Sequence, residues 1–61
     1  MNPLPIGTRI RITSGYYAGQ FGTVVHVQPC PYRLTHCVEV DGMGVRWFMR
    51  SEVEQHRGEL T

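Results

Sequence analysis

Nowhere in this chain do apolar residues recur at helical spacing over the ~11 residues a helix needs to show itself; the period that recurs is two. Thr8-Arg9-Ile10-Arg11-Ile12-Thr13 alternates polar with apolar, the pattern of a half-buried strand with Ile10 and Ile12 inward and Arg9 and Arg11 outward. Ser14-Gly15 breaks that strand, and Gly19 and Gly22 mark further turns or bends. Thr23-Val24-Val25-His26-Val27 is a second strand, dense in β-branched residues. Pro29 and Pro31 prevent regular pairing, so residues 28–34 form a loop.

A third strand is expected from Thr35 to Val40 and a fourth from Val45 to Phe48 or Met49, joined by Asp41-Gly42-Met43-Gly44, whose glycines accept positive φ. A loop of two residues and one of four centre the same register, with Val40 opposite Val45. Glu39 then faces Arg46 on the solvent side, and Val38 faces Trp47 on the core side. Arg50-Ser51-Glu52 reads as a short turn and Val53-Glu54 as a brief closing strand. Residues 1–5 and 55–61 are expected to be loosely ordered. Four or five short strands in 61 residues predict a single all-β domain spanning residues 1–61, a small barrel that hides its edges. A domain of this size buries only ~60% of the surface its unfolded chain exposes. Little material is left for a deep pocket and a catalytic constellation together, so no enzyme is expected.

The stretch from Gly7 to Val24, Gly-Thr-Arg-Ile-Arg-Ile-Thr-Ser-Gly-Tyr-Tyr-Ala-Gly-Gln-Phe-Gly-Thr-Val, resembles the KOW motif of NusG-type elongation factors and ribosomal proteins. The matching features are the strand with Ile10 and Ile12, the glycines at 15, 19 and 22, and the apolar Val24. The resemblance implies an SH3-like barrel that contacts RNA or a protein of the transcription or translation machinery. The ending Phe48-Met-Arg-Ser-Glu-Val-Glu54 resembles the last strands of several SH3-like barrels, which implies that Phe48 and Val53 are core. The hairpin register buries Trp47 and the resemblance buries Phe48; adjacent strand residues cannot both point inward without a bulge.

The net charge is +1, but residues 1–38 carry Arg9, Arg11 and Arg33 and no acid, whereas residues 39–61 carry five acids against three arginines. The asymmetry points to an anionic partner for the first half or to three solvated arginines. The glycine-rich loop itself bears no Lys or Arg. Tyr16 and Tyr17 in it suit stacking on bases, packing on a protein, or capping the barrel. The candidate contact surface is Arg9, Arg11, Tyr16, Tyr17 and Gln20, with Arg46 and Trp47 beside it. The partner is RNA or a protein of a larger complex; the protein-adaptor alternative has no nucleic-acid role.

Other chemistry finds no pattern. His26, Cys30, His36 and Cys37 match no metal-ligand spacing, and adjacent His36 and Cys37 diverge on a strand, so no metal or cofactor is expected. Cys30 and Cys37 are a possible disulfide or two reduced thiols. No phosphate-cradling loop leads into a helix, and no small-molecule substrate is expected. No apolar run approaches the ~18 residues of a membrane helix. No basic n-region opens the chain, so the expected location is the cytoplasm.

Overall fold

The alternation at Arg9–Ile12 becomes β1, with Ile10 and Ile12 wholly buried and both arginines exposed. In the computed structural model, which describes residues 3–28 and 32–57, four more strands follow: β2 (Phe21–Val27), β3 (His36–Val40), β4 (Gly44–Phe48) and β5 (Val53–Gln55). A one-turn 3-10 helix, Arg50–Glu52, sends the chain back into β5. The Met49 amide donates to Glu52 Oε1 at 2.9 Å, which steadies that turn. All pairings are antiparallel, in the order β4-β3-β2-β1-β5. One face of this sheet gathers Leu4, Ile10, Ile12, Val24, Val38, Val40, Phe48 and Val53, with Tyr17 and Val27 packed against them. The sheet wraps this cluster, yet β4 and β5 remain its two ends. The small all-β domain is as expected, whereas the sheet does not close into a barrel.

The hairpin differs from the expected register. Val40 lies opposite Gly44, Glu39 opposite Val45, Val38 opposite Arg46, Cys37 opposite Trp47 and His36 opposite Phe48. The loop has three residues. The Met43 amide donates to the Val40 carbonyl at 2.9 Å, and Gly42 and Gly44 both take positive φ, at 78° and 85°. A register shifted by one residue exchanges the two faces of a strand. Phe48 therefore enters the core at 6% exposure, and Trp47 points outward at 38%.

At Gly22, β2 leaves no room for a side chain against β3. A Cβ there would lie 2.6 Å from the Glu39 carbonyl oxygen and 2.6 Å from Val38 Cγ1. Further features concern the middle of β2 and the two ends of the described chain. The β2–β3 register shifts between Val24 and His26, which leaves Val25 as an extra residue in a bulge. Leu4 is buried in the core, and its amide donates to His36 Nε2 at 2.9 Å. At the other end Gln55 pairs with Ile10 and the His56 amide donates to the Arg9 carbonyl.

His36 is the one buried polar side chain among the described residues, at 1% exposure. Because Nε2 accepts from Leu4, the ring proton sits on Nδ1, 2.7 Å from Thr35 Oγ1. Protonating Nε2 would set two donors against each other. Burial holds the His36 pKa below its ordinary value of 6.5, and the positive charge of Arg50 adds to that. The unfolded chain then binds this proton more readily than the folded one. The stability His36 confers is complete above pH ~6.5 and is lost as pH falls through that value toward the depressed pKa. His36→Gln keeps an acceptor for Leu4 without titrating, so thermal melts between pH 7.5 and 5 should show a shallower loss of stability than wild type. A second prediction concerns Gly22: Gly22→Ala should destabilise by about 1–3 kcal/mol in urea unfolding, through overpacking against β3.

Candidate functional site

The residues expected to share one surface divide into two groups. Arg9 and Arg11 stand on the outer face of β1, and each has a carboxylate. Arg9 makes two bonds to Asp41, Nη2–Oδ2 at 2.7 Å and Nη1–Oδ1 at 3.0 Å, and Nη1 also donates to Thr23 Oγ1 at 2.9 Å. These bonds hold the Asp41 carboxyl below its ordinary pKa and raise that of Arg9. Arg11 Nη1 pairs with Glu54 Oε2 at 3.2 Å, across the β1–β5 register. Exposed pairs of this kind contribute only about 0–1 kcal/mol. Their effect on recognition is larger, because each neutralises a charge that the sequence presents as free.

The second group sits on the rim between the β1–β2 loop and β4. Gly15 and Gly19, at φ 85° and 93°, turn that loop back over the open side of the core. Its base is pinned where the Gly19 amide donates to the Ile12 carbonyl at 2.7 Å. Gln20, half-buried, spends its backbone here: its amide donates to Tyr17 and its carbonyl accepts from Ile12. Tyr17 packs edge-on against Phe48, with ring centroids 6.1 Å apart. Its hydroxyl accepts a bond from Arg46 Nε at 2.8 Å, and the Arg46 guanidinium lies 5.7 Å from its ring centroid. Arg46 shares the core-facing side of β4 with Phe48, so its stem lies toward Val38 while its head reaches the rim. Arg46 Nη1 also donates to the Val45 carbonyl at 2.8 Å. No carboxylate pairs with Arg46 among the described residues. Tyr16, 92% exposed, stands edge-on to Tyr17 at 4.9 Å and makes no other ring contact.

Trp47 belongs to neither group. It lies on the outer face of β4, its ring 6.0 Å from that of His26 and opposite Cys37. Val45, half exposed, is its neighbour on that face, and the bulge residue Val25 is exposed on β2. Val25, His26 and Val45 lie outside the contact surface expected from the sequence. The signal available was Val24-Val25, two consecutive apolar residues that break the period of two.

Cys37 is a free, buried thiol, and burial raises its pKa, which keeps it from being a thiolate nucleophile; Cys30 lies outside the described residues. His36 and Cys37 point to opposite faces of β3, and no group of three His, Cys, Asp or Glu side chains suits a metal among the described residues. An open depression between the β2–β3 loop and the 3-10 turn is lined by Gln28, Tyr32, Arg33, Leu34, Met49 and Glu52, with Arg33 Nη2 3.7 Å from Met49 Sδ. The Glu52 carboxylate in it is engaged by the Met49 amide. No helix among the described residues is long and apolar enough to cross a membrane.

The two tyrosines make opposite predictions. Tyr17→Ala removes a ring from the core lid and should cost about 2–4 kcal/mol of stability in urea unfolding. Tyr16→Ala, at a fully solvated position, should stay within about 0.5 kcal/mol of wild type.

Compared with known proteins, the chain matches no family model, no curated protein and no solved structure.

Proposed function

We propose that this chain is a small non-catalytic binding module, KOW-like in its Gly7–Val24 segment, that attaches to a protein component of a cytoplasmic transcription or translation assembly. The glycine-punctuated segment and the five-stranded antiparallel sheet support the family reading. The buried, protonated Cys37 and the engaged Glu52 support the absence of catalysis. The observation that carries a protein partner over a nucleic acid is the pairing of Arg9 with Asp41 and Arg11 with Glu54. Nucleic-acid affinity rests first on free positive charge, and the first strand has spent its own. Meanwhile the outer face of β4 exposes Val45 and Trp47, of which Trp is enriched at protein interfaces.

A second reading has its own observation. Arg46, without a carboxylate partner among the described residues, bonds Tyr17, whose ring meets the exposed ring of Tyr16 edge-on, and Arg46 and Tyr16 suit a phosphate and a stacked base. One experiment separates the two. The tagged chain is recovered from its own cells with and without ribonuclease, and the co-purifying proteins are identified. Under the protein reading, the same transcription or translation proteins survive ribonuclease, and Trp47→Ala lowers their recovery at least tenfold while Arg9→Ala/Arg11→Ala does not. Loss of every partner on ribonuclease treatment would transfer the function to RNA, with Arg46 and Tyr16 as its contacts.

A further inference from the structure

The two ends of the sheet are unequal. β5 is three residues long and carries Glu54, already paired with Arg11. β4 is five residues long, pairs among the described residues only with β3, and keeps an unbroken register with it. Proteins blunt their sheet edges with charged residues, Pro, bulges or short strands; β4, Gly44-Val45-Arg46-Trp47-Phe48, has no Lys, Pro or bulge, and its one charge is Arg46. An unpaired antiparallel edge presents alternate N–H and C=O groups as a template for another strand; on β4 the Val45 carbonyl accepts from Arg46 Nη1 at 2.8 Å, a bond that pairing of Arg46 with an incoming carboxylate would release. Around that template the side chains are sorted by face. Val45 and Trp47 stand exposed on the outer side, and Arg46, lacking a carboxylate among the described residues, stands on the other.

From this arrangement we propose that the β4 edge is a strand-addition site for an extended peptide segment with the pattern apolar–acidic–apolar. The acidic residue lies opposite Arg46, and the two apolar residues lie opposite Val45 and Trp47. The assignment rests on the protein-partner reading above and names the partner's chemistry. Main-chain hydrogen bonds supply the affinity of such an addition and the alternating side chains its specificity. Charge complementarity selects the acidic residue, since opposite charges on facing strands attract and like charges repel.

A second copy of this chain is a poorer occupant on two counts. In a two-fold β4–β4 pairing centred on Arg46, the two guanidinium groups would meet directly. A stable interface also buries about 800 Å² per partner, about a fifth of this chain's 4084 Å² surface, which a five-residue edge does not provide.

Trp47 is the only tryptophan of the chain, so its emission reads the site directly. The test titrates the full chain with a seven-residue peptide holding Val-Glu-Val at its centre between threonines. The expected result is a saturable change in Trp47 emission, with the β4 amides gaining protection from hydrogen exchange. A peptide with Val-Lys-Val at its centre should bind at least tenfold more weakly. Methylating every second backbone nitrogen should abolish binding in one of its two phases. Changing the peptide leaves the protein intact, so misfolding of a variant does not enter.

Unchanged emission at millimolar peptide overturns the proposal, as does equal binding of the lysine peptide or of both methylated peptides. A concentration-dependent dimer with protected β4 amides in the absence of peptide would also overturn it and make a second copy the occupant. If the peptides fail while ribonuclease-resistant, Trp47-dependent recovery persists, strand addition falls and the protein reading stands. If that recovery fails as well, both fall.

Discussion

The three-residue turn at Asp41–Met43 sets everything that β4 displays. Its hydrogen bond from Met43 to Val40, with positive φ at Gly42 and Gly44, places Gly44 opposite Val40. From that point the strict period of two leaves no choice. Phe48 turns into the core against Tyr17, Arg46 rises on the same side to the rim, and Val45 and Trp47 turn outward. One more or one fewer loop residue would bury a tryptophan beside Val38 and push Phe48 into water. The core and the exposed outer face of β4 are thus two outcomes of a single local geometry.

The core that results is small, and its margins explain the less expected contacts. Eight buried side chains hold the domain together, and one of them, Leu4, comes from before the first strand. Fully burying such a side chain contributes about 1.5–3 kcal/mol, a large share of the 5–15 kcal/mol that separates folded from unfolded domains. Seating Leu4 leaves its amide without a strand partner, and an unpaired buried amide is costly. The Nε2 atom of His36 accepts from that amide. A buried histidine in so small a core is therefore the polar counterpart of recruiting an apolar residue from the chain terminus.

Much of this was legible in the residues, and the failures have physical causes. The alternation at Thr8–Thr13 gave the inward isoleucines correctly, because a period of two has one reading. The positions of four later elements also followed from Gly, Pro and β-branched runs. The register of the hairpin did not, because Asp-Gly-Met-Gly admits loops of two, three or four residues and only the φ values of Gly42 and Gly44 choose among them. The resemblance of Phe48–Glu54 to other barrel ends placed Phe48 on the correct side. Arg9, Arg11, Tyr16, Tyr17, Gln20, Arg46 and Trp47 are all on the surface or the rim, but they do not form one patch. The carboxylates of Asp41 and Glu54 lie 32 and 43 positions away from the arginines they pair with, a separation at which charge patterning along the chain is blind.

The inequality of the two sheet ends has a consequence for how this domain can assemble. Open-ended growth of a sheet, as in a fibre, requires each added unit to present a new edge as receptive as the one it covered. Here the long edge of β4 has no equal at β5, which is three residues long and ends beside an engaged glutamate. Addition of a strand at β4 would leave, at the other end of the sheet, only the short β5 edge, which is no copy of the one covered. The unlike ends therefore disfavour head-to-tail growth of the sheet.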